Sequence, residues 1–161
     1  MNYRAALESV DQVFLRIVAI CNLPLARLAL FVVYFWFGLL KLVAESPANP
    51  LIDALLQRTL PFITFNQFIV LFGVYEMIIG IAFLIPRLER LAILLLIPHM
   101  IMTFMPLILL PQIAWQAPFV PTLEGQYIIK NLLIIALAFS IATHLRPLGT
   151  HRHTIDKKSR Q

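Results

Sequence analysis

Four stretches of the chain are almost uninterruptedly apolar, over 25–44, 65–86, 91–110 and 126–145. At about 1.5 Å of rise per residue, about 20 residues in a helix cross the roughly 30 Å of a bilayer's hydrocarbon core. Strands fit poorly, because a membrane-barrel strand is about ten residues of alternating polarity. Residues 4–20 show another pattern. Leu7, Val10, Phe14 and Ile17 recur at three- and four-residue steps, with Glu8, Asp11 and Gln12 on other faces. That spacing predicts an amphipathic helix lying in the membrane interface. Asn22 and Pro24 predict a break between this helix and the first span, the alternative being one continuous helix. The expected fold class is an all-α membrane protein. It is a four-transmembrane-helix bundle with an N-terminal amphipathic interfacial helix and Pro-rich outer loops. The expected divisions are a segment 1–24, a membrane domain 25–145 and a basic tail 146–161.

Composition sharpens this picture. The chain has 161 residues, 60% hydrophobic and 13% charged, with a mean hydropathy of +0.85. One core of this size cannot hide so much apolar surface, which argues against a soluble domain. Cys21 is the one cysteine, so an intrachain disulfide, a dithiol centre and iron–sulfur ligation by this chain alone are excluded. Glu8 and Asp11 interrupt the place where a cleavable signal would have its apolar core, and none is read.

The net charge of +5 reports orientation rather than nucleic-acid binding. Arg4, Arg16, Arg27, Arg87, Arg90, Arg146, Arg152, Lys157, Lys158 and Arg160 all fall on one side of the four spans, against Arg58 alone in the loops of the other. By the positive-inside rule both termini and the PRLER turn (86–90) are expected in the cytoplasm, in a bacterial-type cytoplasmic membrane. The outer loops hold Pro47, Pro50 and Pro61, then Pro111, Pro118 and Pro121. A short surface helix is expected near 51–60, and Trp115 and Phe119 fit an interfacial belt.

Only Arg27, Lys41, Glu76 and Lys130 place charge within the spans. A mid-bilayer charge costs about 2.5–3.5 kcal/mol on insertion scales, so such residues usually face the bundle interior. Arg27 sits at a span edge, where it can snorkel. Glu76 lies about 15–17 Å from either end of its span and cannot. Gly73 and Gly80 flank it and allow a close helix approach. His99 and Glu76 have similar depths, so a hydrogen-bonded Glu–His pair is the preferred contact, with Thr103 one turn from His99. Lys41 and Lys130 either snorkel outward or form an inward basic pair with Glu45 and Glu124 as partners. Met100, Met102 and Met105 around His99 read as packing rather than copper ligation. Haem would need a second histidine at matching depth, and His144 is about 10 Å off. No metal site is expected.

The segment FGLLK (37–41), the GxxExxxG around Glu76 (73–80), the turn PRLER and the run EGQYIIKN (124–131) resemble the DoxX-like membrane proteins. The resemblance covers about 25–145. It implies a four-helix bundle associated with respiratory or thiol redox systems, or with assembly of other membrane subunits. The positions it carries over are Gly38, Lys41, Glu76, Gly80, Lys130 and Asn131. The expected function is an accessory, non-catalytic subunit of a quinone- or thiol-linked redox system. It would work as a homo-oligomer or in a membrane complex, without nucleic acid. A quinone slot would draw on Glu76, His99, Lys130, Tyr34, Trp36 and Tyr127. The alternatives are a small proton-coupled carrier or channel and a membrane scaffold or assembly factor. The deciding feature is whether Lys41, Glu76, His99 and Lys130 open on a cavity or close on one another.

Overall fold

The computed structural model describes residues 3–44 and 46–147. It is mostly helical, in the order α1 (Tyr3–Val43), α2 (Asn49–Thr59), α3 (Phe65–Leu84), α4 (Glu89–Phe104), α5 (Pro106–Leu109), α6 (Pro111–Ala114), then β1 (Trp115–Ala117) and β2 (Val120–Pro121), and finally α7 (Leu123–Lys130) and α8 (Leu132–Ala142). Four helical stretches are long and apolar enough to cross a membrane: Leu7–Val43, Phe65–Leu84, Glu89–Leu109 and Leu123–Ala142. They match the four expected spans to within a few residues except at the start of the first. This is compatible with an all-α four-helix membrane protein.

The expected break at Asn22–Pro24 is corrected. Helix α1 runs 41 residues with Pro24 inside it. Proline removes one backbone donor, and α1 continues across that one missing bond. The amphipathic segment and the first span are thus one element. Prolines within the third span likewise leave it continuous. Pro98 lies inside α4, and Met105, between α4 and α5, keeps helical angles of φ −53° and ψ −40°.

Helices α1 and α3 run antiparallel in close contact, and glycine sets the distance. A Cβ on Gly38 would lie 2.6 Å from the Gly73 carbonyl oxygen, and one on Gly73 would lie 2.8 Å from that of Gly38. Gly80 meets the backbone of Phe31 and Phe35 in the same way. Small residues of this kind let helix backbones approach where lipid offers no hydrophobic drive for association. Leu30, Tyr34, Ile79, Phe83, Ala92, Leu96, Ala138 and Ile141 fill the core around this seam.

Between spans one and two, α2 is the expected short helix; its Leu56 is buried, and it packs against α5. The loop between spans three and four holds a small antiparallel hairpin, β1 with β2, which the proline and aromatic content did not reveal. Phe119 forms its tip at φ 61°. The Trp115 indole donates to the Leu107 carbonyl at 2.9 Å. Thr122 closes the loop onto α7: its hydroxyl accepts from the Gly125 amide and donates to the Ile113 carbonyl. A Cβ on Gly125 would run into the Ala114 carbonyl oxygen, so the first turn of α7 requires glycine here. Glu45 and the 148–161 part of the basic tail lie outside the described residues.

Replacing Gly38 with alanine is expected to destabilise the bundle by about 1–3 kcal/mol, the usual range for overpacking. Thermal unfolding in detergent should show a lowered midpoint for Gly38→Ala but none for Phe119→Ala, whose ring is 94% exposed.

Candidate functional site

Side chains on a helix tilt toward its N-terminus. Two antiparallel helices therefore aim their side chains at each other's level. Lys41, near the loop side of α1, points back into the bundle, while Glu76, halfway along α3, points toward the loop side. Their polar ends meet, with Lys41 Nζ donating to Glu76 Oε2 at 2.6 Å. Lys41 Nζ also lies 3.4 Å from the Phe37 carbonyl. The other carboxylate oxygen, Oε1, lies 3.1 Å from His99 Nε2. The expected Glu76–His99 pair is therefore present, with Lys41 as its third member.

The second face of the imidazole is partnered too. His99 Nδ1 lies 3.4 Å from the Tyr34 hydroxyl and 3.3 Å from Thr103 Oγ1. Thr103 donates its own proton to the His99 carbonyl at 2.9 Å. One set of directions satisfies every group. Nε2–H donates to Glu76, Tyr34 donates to Nδ1, and Lys41 donates to the remaining carboxylate oxygen. Phe72 lies flat on the His99 ring, 5.2 Å between centroids and 3° between planes, and sits 5.4 Å beneath Lys41 Nζ. The Tyr34 ring meets His99 edge-on at 5.0 Å. Tyr34, Lys41, Glu76 and His99 are only 3–8% exposed. The set closes on itself.

Other expected site residues lie elsewhere. Lys130 is exposed, its ammonium 4.9 Å over the Tyr127 ring, and Tyr127 is itself 61% exposed. The inward pair of lysines is therefore not assembled. Glu124 is exposed and has no ion-pair partner among the described residues. Asn131 bonds back to its own helix, at the carbonyls of Tyr127 and Ile128, and marks the junction of α7 and α8. Trp36 faces outward. Gly38, Gly73 and Gly80 form the α1–α3 seam beside the site rather than its lining. Among the described residues no three His, Cys, Asp or Glu gather where they could hold a metal ion.

Three participants were not singled out from the pattern. Phe72 precedes Glu76 by one helical turn, which places it on the same face. Tyr75 donates its hydroxyl to the Leu95 carbonyl, tying α3 to α4. Glu89, in the PRLER turn, is 5% exposed and forms an ion pair with Arg27. Arg27 thus has a buried partner where snorkelling was expected. Charge alternation in the turn hid Glu89, because Arg87 and Arg90 dominated the orientation count.

Compared with family models, curated proteins and solved structures, the chain matches none.

Breaking a buried pair by removing one partner typically costs about 3–5 kcal/mol, whereas replacing both with apolar groups is often neutral. Glu76→Ala is expected to lose stability in that range and Lys41→Met/Glu76→Met to recover most of it. Denaturant unfolding in micelles checks this. Lys130→Met should shift the midpoint little, because a cation–π contact at an exposed site is worth about 0.5–1 kcal/mol.

Proposed function

We propose that the chain is a DoxX-like accessory subunit of a membrane complex, held in one shape by a buried polar lock and without cargo of its own. The observation that carries this reading is the mutual satisfaction of Lys41, Glu76, His99 and Tyr34. A carrier or channel presents polar groups that ligand or ion completes. Here each such group already has a partner, and Lys130, the second cation a carrier would use, faces away. What remains for partners is surface. Leu28, Val32, Trp36, Leu71, Leu94 and Phe139 are all exposed apolar groups on the spans, suited to lipid and to the flanks of other membrane helices. The basic residues on the side of the 85–88 turn orient that side to the cytoplasm of a bacterial-type inner membrane.

A quinone-linked role is a second reading, favoured by one feature. An apolar groove of about 510 Å³ lies between α4–α5 and α8, lined by Leu96, Met100, Phe104, Ile135, Ala138 and Phe139. Its volume falls within the usual range of small-molecule sites. Thr103, one residue before Phe104, bonds to the His99 carbonyl, so a headgroup at that edge would adjoin the polar set.

Proteoliposomes and a lipid-retaining preparation separate these readings. The accessory-subunit reading expects no proton flux that depends on Glu76 and no bound quinone. Flux abolished by Lys41→Met/Glu76→Met, in protein that still folds, would overturn it in favour of a carrier. Stoichiometric quinone displaced by Ala138→Trp would overturn it in favour of the quinone role.

A further inference from the structure

Helix α1 is too long for the bundle it belongs to. Its 41 residues extend about 62 Å, twice the roughly 30 Å of the hydrocarbon core. The contacts of Gly38 with Gly73 and of Gly80 with Phe31 put the end of α3 level with about Leu30. The Arg27–Glu89 ion pair marks the start of α4 one turn further on. Leu23 still packs against the core, so residues 3–22 project beyond the other spans by about 30 Å of helix. From Leu7 to Asn22 every residue is exposed. Yet this arm carries an apolar stripe of Leu7, Val10, Phe14 and Ile17, each more than half exposed.

The stripe does not end with the arm. At 3.6 residues per turn it continues into the span as Leu25, Leu28 and Val32, which are exposed on the outward face of α1. The apolar face of the arm and the lipid-facing side of the first span are one surface. We propose that α1 bends just before Pro24 toward this surface, so that residues 3–22 lie in the leaflet on the side of the 85–88 turn, stripe inward. An outward bend turns the lipid-facing side of a vertical helix into the membrane-facing side of a horizontal one. Pro24 weakens the helix at this point, because its ring nitrogen cannot donate to the Ile20 carbonyl, and burial of the stripe sets the direction of the bend.

The occupant is lipid rather than a second arm. A two-stranded seam needs only the narrow line of core positions, flanked by charged ones. Here Val13, Val18 and Ile20 widen the apolar sector to about 160° of the helix circumference, and a paired arm would leave them in water. The charges Arg4 and Arg16 balance Glu8 and Asp11, so apolar burial drives the docking and neither salt nor anionic lipid is required. This inference is independent of the role of Lys41, Glu76 and His99.

The test uses full-length protein in phosphatidylcholine proteoliposomes. In a Cys21→Ser background, a nitroxide is placed at Phe14→Cys or at Gln12→Cys on the opposite face. Collisional accessibility to oxygen and to an aqueous nickel chelate is then measured. The proposal expects oxygen to dominate at 14 and the nickel chelate at 12, with no change when salt is raised or anionic lipid added. It also expects Pro24→Ala to make site 14 several-fold more accessible to nickel. Nickel dominating at both sites would overturn it. So would dipolar coupling between labels at 14 on two chains, which would assign the stripe to a second copy.

Discussion

An ionisable side chain placed in hydrocarbon must find its partner within the protein, and this requirement organises the bundle. Glu76 sits too deep to reach either surface. Its two carboxylate oxygens are met by Lys41 from α1 and His99 from α4, so three separate helices must come together before one carboxylate is satisfied. The glycines serve the same end. Only with the α1 and α3 backbones in contact through Gly38 and Gly73 do two side chains that tilt in opposite directions arrive at one level. Tyr34 and Thr103 then complete the imidazole, and Phe72 covers it.

A second ionic layer repeats this logic at the far end. Arg27 and Glu89 join α1 to the start of α4, with Leu30, Ile79, Phe83, Ala92 and Leu96 packed between the layers. Thus α1, α3 and α4 are fastened by charge at two depths. Helix α8 is different. It contributes Ala138 and Ile141 to the core but no side chain to either layer, and an apolar groove separates it from α4 and α5. Helix association in lipid rests on packing and interhelical hydrogen bonds. The helix without such bonds to the polar set is the one beside which space remains.

The spans, their number and the Glu76–His99 pairing were legible because each is a matter of depth along a helix, which sequence position measures directly. The fate of the lysines was not. Depth leaves rotation about the helix axis open, and Lys41 and Lys130 differ in rotation. One is drawn inward by the carboxylate beside the Gly38–Gly73 contact, and the other rests on Tyr127 of its own helix. Depth alone suggests snorkelling for Arg27, because its partner Glu89 lies in a charge-rich turn whose pattern is that of a solvated one. The continuity of α1 through Pro24 escaped for a related reason. A proline removes one hydrogen bond, and the loss of one bond does not by itself show whether the helix stops or runs on. The β1–β2 hairpin had only three prolines and two aromatics to announce it, which fit many loop shapes.

Apolar helices in lipid can slide along or rotate about one another at little cost, since one leucine contact resembles the next. A buried ion pair contributes little net stability but can specify register. In α1 and α3 the specification is double. A slip of one helical turn would carry Glu76 away from Lys41 and set a methionine or isoleucine side chain where Gly73 now meets the Gly38 carbonyl. Each error alone is costly, and in a one-turn slip the two coincide. The residues that composition marks as misfits in a membrane thereby select one arrangement among many apolar ones. That is a sufficient reason for a chain with so little charge to place Lys41, Glu76 and His99 where charge is most expensive.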